Sequence, residues 1–140
     1  IKVHKQVDLV VCNPPFFKIG EKSNLNENRY LQIARHEIKI NLEEIIASAA
    51  KILKVKGRFA IVHRTERMIE IIELMKKYNL EPKKIQYIYP KQNKESNIIL
   101  IEAMFHGNPG VKILPPIIAH EENGNYSKKV RKMFGEIVDE

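Results

Sequence analysis

An α/β fold is predicted for this chain, with parallel strands joined through helical crossovers and one final strand running the other way. Three observations lead there. The apolar run Asp8-Leu9-Val10-Val11-Cys12 stops at Asn13-Pro14-Pro15-Phe16, as a buried strand of an open α/β sheet stops at the edge that carries its site. Behind it, segments of helical period alternate with strand-like ones. The last two strand-like segments are joined only by Pro90 to Ser96, too short a link for a crossover helix, so they pair antiparallel.

Each element has its own signal. Asn41-Leu42-Glu43-Glu44 opens a stretch in which Leu42, Ile45, Ile46, Ala49, Ala50, Ile52 and Leu53 recur at helical spacing, with Asn41 placed to cap and Glu44 in the capping-box position. Gly57 is expected to end that helix, and Arg58 to His63 reads as a buried strand. Thr65 is expected to cap the next helix. Its apolar stripe is Met68, Ile69, Ile71, Ile72 and Met75, closing near Tyr78-Asn79. Lys84 to Tyr89 and Asn97 to Phe105 are the last strands.

Composition sets the outer limits. A chain of 140 residues makes one domain and buries about two-thirds of its unfolded surface. No apolar run approaches a membrane span and no signal-like pattern opens the sequence, so a cytoplasmic location is the default expectation. The single cysteine, Cys12, forbids an internal disulfide, and with no Cys or His partners at ligand spacing no structural zinc site is expected. It reads as a small apolar residue at a strand end. A net charge of +7 with a pI near 9.5 suits a polyanionic partner, although a lysine- and isoleucine-rich composition has other origins.

The strand-ending turn has a chemical use. The Asn13 side-chain oxygen and the Pro14 carbonyl can both accept hydrogen bonds from one planar NH2 group, Pro15 helps hold the turn, and Phe16 offers a ring face to a flat substrate. An aryl or amide nitrogen is a weak nucleophile because its lone pair is delocalised. Two aligned acceptors favour a pyramidal nitrogen and free that lone pair for attack.

These residues resemble motif IV of the class I S-adenosylmethionine-dependent amino-methyltransferases. Ala34-Arg35-His36-Glu37, His63-Arg64-Thr65-Glu66-Arg67 and the Leu114-Pro115-Pro116 tail extend the likeness to a bacterial family of tRNA adenine methyltransferases, the methyltransferase small-domain proteins. The resemblance implies a Rossmann-like sheet, of which this chain supplies the C-terminal half in the order 4-5-7-6, the last strand in sequence being antiparallel. It implies S-adenosylmethionine as methyl donor, tRNA as partner and the exocyclic amine of an adenine as acceptor. Asn13 and Pro14 then hold the amine and border the cofactor, and Phe16 stacks the base. The Gly-rich turn and the acidic residue that grip the cofactor in this family have no counterpart here, so residues 1–140 look like a partial methyltransferase domain that is inactive alone and liable to self-associate. Two other readings stay open: methylation of a protein glutamine, where Tyr is usual at the position of Phe16, and a non-catalytic RNA-binding module.

Around the turn, Phe17 to Tyr30 is polar and aperiodic and is expected to form a lid over a flipped base, with Arg35 and His36 at its return. Arg64 and Arg67 follow a strand at the same edge, where they either contact phosphates or pair with Glu66 and Glu70. The tail from His120 onward, with Lys128-Lys129 and Arg131-Lys132, reads as a short helix near RNA.

Overall fold

A computed structural model describes residues 6–14 and 41–133. Strand β1 (Val7–Cys12) is followed by a helix, α1, over 41–52, then β2 (Leu53–Arg64), a 3-10 turn (Thr65–Arg67), α2 (Met68–Lys77), β3 (Leu80–Tyr89) and β4 (Ile98–Phe105). Two short strands, β5 (Lys112–Ile113) and β6 (Ile117–Ile118), and helix α3 (Lys128–Met133) complete the order.

The sheet runs β1-β2-β4-β3-β5, with β6 also on β3. β1 and β2 are parallel, while β4 lies antiparallel to both β2 and β3. That is the expected half sheet: the last long strand sits between two others, in reverse. Because β4 opposes both neighbours, β3 points the same way as β1 and β2, and all three end at one edge. Among the described residues β1 has no neighbour on its outer side.

The core lies on one face. Along β2 and β4 every second residue is buried (Phe59, Ile61, His63; Ile99, Ile101, Ala103), and these pack with Leu42, Ile46 and Ala49 of α1 and Ile71, Leu74 and Met75 of α2. The opposite face carries the alternate residues, among them Arg58, whose Nη1 lies 3.2 Å from Glu102, with Lys84 on the other side of that carboxylate. Leu9 and Val11, on this second face of β1, are 56% and 67% exposed.

Several boundaries differ from the sequence reading, each for a physical reason. Gly57 does not end α1, which stops at 52. Leu53 already pairs with Val7, but the next pair is Leu9 with Arg58, so residues 54–57 loop out against one residue of β1. Lys56 takes a left-handed φ of 70° there. Gly57 is needed for close approach, since a Cβ would sit 2.8 Å from the Lys54 carbonyl oxygen and 3.3 Å from that of Asp8. The regular ladder does begin at Arg58.

Asn41 is helical rather than capping, and Thr65 opens a 3-10 turn whose start has no side-chain cap. Ile69 is 59% exposed and lies off the buried stripe. The closing of α2 falls where expected: Tyr78 N–H bonds back to Leu74 and Met75, and Asn79 is left-handed at φ 62°. β3 begins four residues earlier than expected, at Leu80. It carries Pro82 at a register shift between Pro82 and Lys84, the kind of place where a strand tolerates a residue with no N–H to donate.

Candidate functional site

The edge where β1, β2 and β3 end carries Asn13, Pro14 and Arg64, the described part of the set singled out by sequence, with Arg67 following in the next turn. β1 delivers Asn13, exposed, and Pro14, half-buried, directly past the last ladder pair, Cys12 with Ile61. Two residues beyond Ile61 on the neighbouring strand stands His63, and Arg64 and Thr65 follow. Pro15, Phe16, Arg35, His36 and the expected lid Phe17 to Tyr30 lie outside the described residues.

The two arginines sit differently. Arg67 is 12% exposed, and its Nη1 donates to Glu70 Oε1 at 2.9 Å. Arg64 keeps 46% of its side chain exposed and stands 3.7 Å from Glu66, itself largely in solvent. An exposed pair at that distance holds its partners weakly, so Arg64 is available to an anion in a way that Arg67 is not.

His63, read in the sequence as the end of a buried strand and as part of a motif, is a buried polar side chain of the core, 4% exposed. Its Nδ1 accepts the Arg64 backbone N–H at 2.8 Å, which places the ring proton on Nε2 in the neutral form. Burial pushes its pKa down, and the Arg67 cation adds to that. A neutral imidazole therefore braces the strand end next to the Asn-Pro turn. A strand pattern that reads histidine as one more inward position gives the only sequence signal for it.

Cys12 packs against the core, and burial raises its thiol pKa. It stays protonated at neutral pH and is a poor nucleophile. Asn13 and Pro14 offer neutral oxygens. Such oxygens suit a positively charged sulfonium, because they stabilise the charge without competing for its methyl group. Among the described residues no group of three His, Cys, Asp or Glu side chains is placed to hold a metal ion, and no helix is long and apolar enough to cross a membrane.

Beyond β3 lies an arrangement the sequence reading missed. β5 and β6 add parallel to the outer side of β3, after which residues 119–127 turn back on themselves through a bridge between His120 and Tyr126. The two rings stack with centroids 4.7 Å apart. The isoleucines flanking Leu114-Pro115-Pro116 were the available hint, but a two-residue strand leaves no period to detect.

No protein-family model matches the chain. It is 32% identical over 100 residues to a tRNA1(Val) (adenine(37)-N6)-methyltransferase of Porphyromonas gingivalis, covering 71% of this chain and 38% of that protein. A protein of the same name from Aliivibrio salmonicida is 26% identical over 117 residues, 84% of this chain and 48% of that one. The chain thus spans about half the length, or less, of these curated relatives. The crystal structure of a predicted O-methyltransferase from Agrobacterium tumefaciens superposes with a TM-score of 0.67 at 18% identity, over 91% of this chain and 50% of that one. By sequence the chain is a relative of the tRNA1(Val) adenine methyltransferases, and its fold is part of the Rossmann-like sheet of class I methyltransferases.

Proposed function

We propose that the protein carrying this chain transfers a methyl group from S-adenosylmethionine to the exocyclic amine of an adenine in tRNA, and that it works in the cytoplasm. The observation that carries the proposal is the placing of exposed Asn13 and half-buried Pro14 directly past the end of β1, beside a sheet whose reversed strand β4 lies between β2 and β3. The names of the relatives, tRNA1(Val) (adenine(37)-N6)-methyltransferases, point to the same chemistry.

When bound, S-adenosylmethionine supplies an electrophilic methyl group. The residues of this chain supply orientation. The Asn13 side-chain oxygen and the Pro14 carbonyl accept the two amine hydrogens, which localises the nitrogen lone pair and aims it. Pro15 stiffens the turn, and Phe16 stacks on the extruded base. The nitrogen acquires positive charge as the new N–C bond forms, and the amide and carbonyl oxygens stabilise that charge through its hydrogens. The methylated amine is acidic and gives its proton to water, so no dedicated base is required. Arg35, His36 and Arg64 are assigned to the substrate side of the site, with Arg64 the member whose exposure best fits a phosphate contact, while Arg67, held by Glu70, supports the edge.

The test is methyl transfer from radiolabelled S-adenosylmethionine to tRNA by the full-length protein and its Asn13→Ala variant. The variant should lose on the order of a hundredfold in turnover while binding cofactor nearly as well. Unimpaired turnover would overturn the assignment of Asn13, and absence of methylation by the parent protein would overturn the reading as a whole.

A further inference from the structure

The hollow next to the 119–127 turn lies at the same sheet edge as Asn13 and has no place in the chemistry above. It measures about 620 Å³ and is lined by Gln92, Ile118, His120, Glu121 and Glu122, among others. That volume is in the range of small-ligand sites. Its location follows from register. β6 runs parallel to β3, pairing Ile88 with Ile117 and Tyr89 with Ile118, and Ala119 and His120 continue the ladder by donating to the carbonyls of Tyr89 and Pro90 at 2.7 and 2.9 Å. The hollow therefore opens where β1, β2 and β3 also end.

The turn that forms its wall is held by its own backbone. Ser127 N–H donates to Ala119 at 2.8 Å, Glu121 N–H to Asn125 at 2.6 Å, and Gly124 N–H to Glu121 at 2.9 Å, with Gly124 at a φ of 89° that favours glycine. His120 is thereby presented with Tyr126 stacked behind it. Such a ring, backed by a second ring, is a platform on which a flat heterocycle can stack. Among the described residues no hydrogen bond or ion pair engages the side chains of Gln92, Glu121 or Glu122, so an amide and two carboxylates remain to read the edge of such a ring. Free anions are disfavoured by those carboxylates. Lys128 and Lys129, exposed in the first turn of α3, stand next along the chain to meet a phosphodiester backbone.

We infer that this hollow takes a second, unmethylated nucleobase of the RNA substrate, stacked on His120 and selected for amino hydrogens by Glu121 and Glu122. Carboxylates only accept hydrogen bonds, so guanine, cytosine and adenine, which offer amino hydrogens, fit better than uracil, whose single edge donor, N3–H, stands between two carbonyls that the carboxylates repel. The spacing is that of two bases on one strand. Four strand steps, from β1 through β2, β4 and β3 to β6, put roughly 19 Å between the two positions, a span of a few nucleotides.

The inference rests on the RNA reading above, and its test separates the two. Binding of the full-length protein is measured, without cofactor, to RNA hairpins whose loops differ only by guanine, cytosine or uracil at positions flanking the target adenine. The parent should prefer guanine or cytosine at one position. His120→Ala should weaken binding to those loops about tenfold, His120→Phe should keep it by preserving the ring, and Glu121→Gln combined with Glu122→Gln should erase the preference over uracil. Normal RNA binding with no preference, or with His120→Ala unaffected, overturns this inference and leaves the methyltransferase reading intact. Failure of the parent to bind any RNA overturns both.

Discussion

The hydroxyls of Thr65 and Ser96 lie 2.8 Å apart in a hydrogen bond that fastens the end of β2 to the link before β4. Ser96 Oγ also lies within hydrogen-bonding distance of the carbonyls of Ile88 and Ile98, at 2.9 and 3.1 Å, and the Thr65 N–H donates to Asn97 at 3.1 Å. One small side chain thus ties β2, β3 and β4 together at the edge that carries the site.

Ser96→Ala should accordingly lower stability by about 1–2 kcal/mol, the scale of one or two partly buried hydrogen bonds. Urea unfolding would read this as a lower midpoint with an unchanged slope. A midpoint equal to that of the parent would mean that the backbone bonds hold the edge without the hydroxyl.

His63 makes stability depend on pH. Its pKa in the folded state lies below its ordinary 6.5, so around and below that value the unfolded chain binds more protons than the folded one. The stability contributed by the neutral ring is fully present above about pH 6.5 and is lost as the pH falls through the depressed folded value. Urea midpoints measured from pH 7.5 down to pH 5 should decline. In His63→Asn, whose amide oxygen can take the place of Nδ1, the decline over that window should be smaller, and an identical decline would assign it to other groups.

The contrast between the arginines predicts two different failures. Arg64→Glu should leave folding intact, weaken tRNA binding for all sequences and reduce the slope of log affinity against log salt by about one. Arg67→Glu should destabilise the fold itself, because it sets a second carboxylate against Glu70, whose Oε2 is buried with no hydrogen-bond partner among the described residues. Equal effects of the two reversals on binding, with both variants fully folded, would contradict this division.

Gly57→Ala tests the loop-out that sets the β1–β2 register. The new methyl group would meet backbone oxygen at 2.8 Å, a contact relieved only by moving main chain, and such strain typically costs about 1–3 kcal/mol. Thermal unfolding would measure the loss. Because β1 leads directly into Asn13, methyl transfer should fall more than stability alone accounts for, and a fall in stability with unaltered turnover would uncouple register from site.

What the sequence made legible was whatever depended on neighbours along the chain. The strand-ending Asn13-Pro14, the apolar period of the helices and the short link Pro90 to Ser96 are local, and they gave the succession of elements and the reversal of the last strand, while its place between β2 and β3 came from the family resemblance. The misplaced boundaries came from partners far away in sequence. Thr65 looks like a cap until Ser96, thirty-one residues on, takes its hydroxyl. Leu53 looks helical until Val7 pairs with it. Pro82 argues against a strand until a bulge accommodates it. The same holds for the site: Asn13 and Arg64 were visible as residue types and His63 as the end of a buried strand, whereas the hollow beside His120 arises only when strands distant in sequence lie side by side.

The insertion of β4 between β2 and β3 also governs when this sheet can form. β2 and β3 do not hydrogen-bond to each other; each pairs with β4 along most of its length. As the chain leaves the ribosome, both must wait with unsatisfied edges until residues 98–105 have emerged, and only then does the sheet zip closed from two sides at once. Folding of this unit is therefore gated by a single late segment through contacts distant in sequence, a topology that slows folding and leaves apolar strands open to wrong partners in the interval.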